Sequence, residues 1–220
     1  MDEERAAYLD RVLIGGREAA VISVVDYDER WPVRFRAIAE RVRQALGADA
    51  LDVEHIGSTS VPGLAAKPIV DVLLTVADVG DEAAYVPALE SAGFLLRVRE
   101  PAHRMVRTPA RDVHVHVYEP GRPEVRDYID LRDWLRVDAE DRELYAATKR
   151  RLARQQWNDM NDYADAKTEV VHDLLTRARA WRAGAMTPRG RNQPTNDSRA
   201  CPTPPSVGRP GPGTPGASAT

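Results

Sequence analysis

Apolar and polar positions along the chain switch between two periods. Residues 21–25 (Val-Ile-Ser-Val-Val) read as a short strand. Asp28 then stands where it can cap a helix entered at Pro32. Phe35, Ile38, Ala39, Val42 and Leu46 recur at helical spacing until Gly47 stops them. Residues 51–56 are strand-like and run into Gly57-Ser58-Thr59-Ser60. Residues 69–76 form a nearly continuous β-branched run, broken by one acid, Asp71. A short helix is predicted over 82–92, closed by Gly93, with further strands over 94–98, 104–108 and 113–118. Beyond Pro123 the pattern is helical throughout, with segments over 124–136, 140–156 and 162–182. This succession predicts an α+β fold: a mixed sheet over about 21–120 with flanking helices, then a helical subdomain over about 121–182.

Composition changes that picture at both ends. The 220 residues, 43% hydrophobic and 30% charged, suit one globular domain with an appendage. Residues 1–20 form an N-terminal extension. From Thr187 to Thr220 the chain holds eight of the 16 prolines, five of the 14 glycines and few large apolar side chains. Such a segment buries too little surface to offset its conformational entropy and reads as a disordered tail. The tail carries four Arg against one Asp, or +3, which leaves −6 of the total −3 on residues 1–186. A negative body argues against a general grip on nucleic acid. No apolar run approaches the length of a membrane span, and the acidic start Met1-Asp2-Glu3-Glu4-Arg5 lacks the layout of a signal peptide, so a cytoplasmic protein is expected. The single cysteine, Cys201, excludes an intramolecular disulfide and a thiolate zinc cage.

The chemistry is concentrated between Glu54 and Asp71. A strand ending in Gly57-Ser58 lets backbone amides turn outward, and the hydroxyls of Ser58, Thr59 and Ser60 with the charge of Lys67 suit a phosphate cradle. Asp71 sits inside an apolar strand, where a carboxylate is costly unless it meets water, a cation or a donor. The bland alternative is an ordinary loop with an Asp satisfied by backbone donors. His114 and His116 share one strand face opposite Val113, Val115 and Val117. With Asp71 they make a candidate metal set, and Asp71 and His116 are candidate acid/base groups. A polar sheet face with each His bonded to a neighbour is the competing account. Either Glu54 or His55 faces the same cleft. Tyr145/Lys149 and Tyr163/Lys167 are i,i+4 helix pairs. Either these Lys pair with surface acids such as Asp141 or Glu143, or they and Arg132 reach over the cleft to bind phosphates.

Residues 53–71 closely resemble the signature of the GrpB family, which also forms the C-terminal domain of some dephospho-coenzyme A kinases. The resemblance continues through His114-Val115-His116-Val117, the segment from Leu131 to Arg136, Tyr145 with Lys149, and Tyr163 with Lys167. It implies a nucleotidyltransferase-like fold. In that wider pattern Gly-Ser precedes a strand with two acids at alternate positions, and a third acid stands on a neighbouring strand. Here Gly57, Ser58 and Asp71 match, but the second acid is replaced by Leu73, which leaves transfer activity open. The resemblance implies a nucleotide or coenzyme-like phosphate ligand in the cleft between Gly57 and Asp71. It also implies a divalent ion, magnesium or manganese ahead of zinc. A non-catalytic folding or interaction module is the alternative. No membrane partner is expected, and no oligomeric state is assigned.

Overall fold

The computed structural model describes residues 3–18, 22–157 and 160–190, with Met160 described by its backbone alone. A five-stranded mixed sheet is built from β1 (Asp52–Ile56), β2 (Val70–Thr75), β3 (Leu95–Glu100), β4 (His103–Arg107) and β5 (Val113–Tyr118). Its order is β1-β2-β5-β4-β3. β2 and β5 are parallel, and the other three neighbour pairs are antiparallel. Helix α1 (Glu3–Val12) precedes the sheet, with α2 (Arg30–Leu46) between it and β1, and α3 (Glu82–Ser91) between β2 and β3. The helical part follows as α4 (Pro123–Val137), α5 (Ala139–Ala153), α6 (Met160–Asp165) and α7 (Thr168–Arg182). The α+β class expected from the alternation is therefore the observed one.

Period-2 alternation divides the sheet into two unlike faces. Val70, Val72, Leu74, Val113, Val115 and Val117 point to one side and pack with Val42, Leu46, Tyr85 and Leu89 of α2 and α3. Burying each such aliphatic side chain contributes about 1.5–3 kcal/mol, which makes this the main core. On the other side Ile56, Leu73 and Tyr118 meet Val125, Tyr128 and Ile129 of α4. The loop residues Val61, Leu64 and Ala65 pack against Leu135, Tyr145, Ala146 and Leu174 from α4, α5 and α7. The polar positions of β2 and β5 thus lie beneath the helical part instead of open water. No helix among the described residues is long and apolar enough to cross a membrane.

Two of the expected elements are corrected. The described residues 22–25 are not a strand: only Val25 pairs, through an isolated bridge to Ala66. One bridge anchors the segment but cannot propagate a ladder. Instead of one helix over 162–182, the chain turns at Ala166 and Lys167 and makes two, α6 and α7. Nothing in the local residue types marks that break. It lets Tyr163 pack with Trp157 and Leu152 while α7 lies along α4. The N-terminal extension contains α1, whose Leu9 and Val12 are buried, with Leu13 bridging to Val98 beside β3. Asp28 serves the start of α2 by accepting the Arg30 backbone N–H at 2.9 Å, and the helix begins two residues before Pro32. At the other end, Arg189 donates its backbone N–H to the fully buried Asp138 at 2.6 Å, so residues 187–190 include an anchor on α5. The rest of the expected tail, with Cys201, lies outside the described residues.

Candidate active site

β1 runs into Gly57, whose φ of +67° is open to glycine at little cost. The need for glycine is also steric. A Cβ here would come within 2.4 Å of Asp71 Oδ2, so the turn lies directly against the β2 carboxylate. The three hydroxyls that follow are used differently. Thr59 Oγ1 is buried and bonds His55 Nε2 at 3.1 Å, and Ser60 Oγ donates to the Gly57 carbonyl at 2.6 Å. These two hold the turn together. Ser58 faces the cavity, where Lys149 Nζ donates to its Oγ at 2.8 Å. Of the expected phosphate-binding hydroxyls, Ser58 alone has its oxygen on the cavity-facing lysine.

The cavity, about 380 Å³, is closed by the helical part. Lys67, Lys149 and Lys167 all line it. Lys149 lies over the ring of Tyr145 at 4.5 Å, and Lys167 and Lys67 lie 4.6 and 5.1 Å from the ring centre of Tyr163. Burial and the neighbouring cations Lys167, Arg150 and Lys67 push Lys149 down to about 6, against a partial pull from Asp71. Burial and Lys67 bring Lys167 down to about 8. The three buried amines crowd one another, and the Asp71 carboxylate is the acid that pulls on all of them. Lys149 thus turns to Ser58, while Asp141 is held by Trp134 and Arg177 and Glu143 lies near Arg150. Arg132 also lines the cavity, but its guanidinium is bonded to Glu54 Oε2 at 2.7 Å, Asp133 Oδ1 at 2.8 Å and the His55 carbonyl at 3.1 Å. Its charge is already matched by carboxylates.

Opposite the lysines stands an acid–imidazole cluster. Parallel pairing sets Asp71 beside His114 and Leu73 beside His116. His114 Nδ1 is 3.5 Å and His116 Nε2 3.7 Å from Asp71 Oδ1. Burial pushes the Asp71 carboxyl up, but the two imidazoles beside it outweigh that and hold it below the usual carboxylate range. One atom from each of the three residues lies within 4.8 Å of the others, as a metal site requires. Leu73, at the position of the missing second acid, is 2% exposed and packed on Ile56 and Tyr118. With two nitrogens, one carboxylate and an apolar side chain, the set does not fit a magnesium pair held by carboxylates. Glu54 shares the Asp71 face, tied to Arg132, whereas His55 lies on the opposite face, stacked on Phe35 at 4.6 Å. Burial lowers His55 to about 4, which keeps it neutral.

Sequence reasoning missed His103 and Glu100. His103 Nε2 is 3.2 Å from His116 Nδ1, and His103 Nδ1 is 2.7 Å from Glu100 Oε2. The local signal is a histidine three residues past the end of β3, at the start of β4, which gains meaning only once β4 and β5 are known to pair.

The sequence model of the GrpB family, described as GrpB protein, matches residues 21–177, well over half of the chain. The chain belongs to the GrpB family. A UPF0157 protein of Streptomyces coelicolor is 58% identical over 77% of this chain and 91% of its own length. A protein named dephospho-CoA kinase from Mycobacterium tuberculosis is 31% identical over 72% of this chain, which spans only 46% of that protein. The crystal structure of the conserved protein GrpB from Enterococcus faecalis shares the fold, with a TM-score of 0.63, 30% identity and coverage of 72% of this chain and 99% of that one. The GrpB match contains every residue of the cavity described above, and α1 lies outside it.

Proposed function

We propose that this GrpB protein binds a nucleotide or coenzyme-like phosphate small molecule in the cavity, with a divalent ion at Asp71, His114 and His116. The observation that carries the reading is that Lys67, Lys149 and Lys167 line one cavity with Ser58 and the acid–imidazole cluster, Lys149 being bonded to Ser58. Lysines whose charge is disfavoured by burial and by one another become favourable when a polyanion enters, because its charge stabilises theirs. Ser58 and the lysines bind phosphate oxygens, and the rings of Tyr145 and Tyr163 supply flat apolar walls. A metal ion beside Asp71 would neutralise phosphate charge and orient it. Gly57 gives the backbone its close approach to that carboxylate. The resemblance to nucleotidyltransferase-like proteins supports the nucleotide, and the dephospho-CoA kinase relatives put coenzyme A precursors on the same panel.

Leu73 separates binding from transfer. Two-metal transfer spreads positive charge over several carboxylates, and here one remains. Binding without conventional two-metal transfer is the reading the geometry supports best. Thermal unfolding of the full chain with nucleoside triphosphates, dephospho-coenzyme A and coenzyme A, with and without divalent ions, tests it. A ligand at 100 times its dissociation constant adds about 2.7 kcal/mol of stability. A panel in which no member shifts the transition sinks the proposal and favours a folding or interaction module.

A further inference from the structure

We propose that the chain Glu100–His103–His116 fixes the tautomer of His116 so that its bare Nε2, together with Asp71 and a ring nitrogen of His114, selects one zinc-class transition cation over magnesium. This rests on the metal part of the proposed function and goes beyond it in naming the ion class and the residues that set it.

The argument follows the protons. An ionised carboxylate only accepts hydrogen bonds, so at 2.7 Å from Glu100 Oε2 the His103 Nδ1 must donate. In a neutral ring the other nitrogen, His103 Nε2, then accepts. The atom facing it at 3.2 Å is His116 Nδ1, which must therefore carry its proton. His116 Nε2 is left with a lone pair, 3.7 Å from Asp71 Oδ1. Two electron-rich atoms face each other across a gap that a bound cation fills. Carboxylate–imidazole chains behind a ligating histidine fix its orientation and raise its basicity. Borderline ions favour imidazole nitrogen, whereas magnesium demands oxygen and sheds water reluctantly. The packing holds the chain in place: the His103 ring stacks on Tyr118 at 4.6 Å, and Tyr8 of α1 donates to the second oxygen of Glu100. His103 and Glu100 are positioning residues that touch no ligand.

The test uses the full chain stripped by a chelator and titrated with Co2+, Zn2+ and Mg2+. The expected result is one Co2+ per chain with visible d–d absorption, displaced by stoichiometric Zn2+ and not by millimolar Mg2+. His103→Phe keeps a ring against Tyr118 but offers no acceptor, and lowers Zn2+ affinity by about 10- to 100-fold. His103→Gln restores most of that loss, because its amide oxygen can accept from His116 Nδ1. A role confined to packing would let Phe serve as well as His and give Gln no advantage. Unchanged Zn2+ affinity in His103→Phe overturns the proposal, as does displacement of Co2+ by Mg2+. Nucleotide stabilisation in excess chelator separates the two readings. If it persists while no Zn2+ binds, the metal inference fails and the phosphate site stands. If both vanish, the proposed function fails with it.

Discussion

Lys149→Met should make the protein more stable and less able to bind its ligand, and the pH dependence shows why. Lys149 is 3% exposed and held down to about 6, from an ordinary value of 10.5 in an unfolded chain. Between those limits the unfolded lysine carries a proton that the folded one lacks. Stability therefore rises with pH, by about 1.4 kcal/mol per unit, and the penalty relative to a neutral side chain is about 5 kcal/mol at pH 7. The penalty disappears above 10.5 and reaches its full size below about 6. Methionine has a similar shape and no charge, but loses the 2.8 Å bond to Ser58, which costs about 1 kcal/mol. The expected net gain at pH 7 is thus about 4 kcal/mol, shrinking to about 1 kcal/mol at pH 9. Urea unfolding of both proteins at pH 7, 8 and 9, followed by circular dichroism, measures it. Parallel stability curves over that range would show that Lys149 keeps its proton in the fold. A methionine variant less stable at every pH would show that the lysine is already compensated. Either result removes the reason to expect an anion beside it.

Further outcomes follow from the same geometry. Gly57→Ala drives a Cβ towards Asp71 Oδ2 and strains a positive φ, so a loss of about 1–3 kcal/mol is expected by chemical unfolding, with divalent-ion dependence lost from ligand binding. Asp71→Asn should abolish the divalent-ion effect in thermal unfolding while retaining ligand stabilisation through Ser58 and the lysines; unchanged ion dependence would exclude Asp71 from the site. Ending the chain at Met186 instead of Gly190 removes the Arg189 bonds to Asp138 and Asp141. It should lower stability by about 1–3 kcal/mol, read by urea titration, and identical midpoints would show that this anchor is idle.

Periodicity in the sequence determines which residues share a face. Val113, Val115 and Val117 had to lie opposite His114 and His116 in any strand, since the side-chain period is two. Leu73 in place of an acid was equally visible, and with it the departure from a two-metal site. The turn at Gly57 was legible as a turn, but not that its glycine is needed to clear Asp71. Tertiary structure decided the pairings. Nothing local to β2 or β5 specifies that they lie side by side in parallel register, and that register is what brings His114 to Asp71. Lys149 is 91 residues from Ser58 in the chain, so local sequence does not specify their contact. Packing of α5 on Val61, Leu64 and Ala65 turned Lys149 inward, because burying those apolar side chains outweighs leaving a lysine in water. The roles of the three hydroxyls were hidden for a similar reason. Ser58, Thr59 and Ser60 are chemically alike in sequence, and only the direction of the turn gave Thr59 to His55, Ser60 to the Gly57 carbonyl and Ser58 to Lys149.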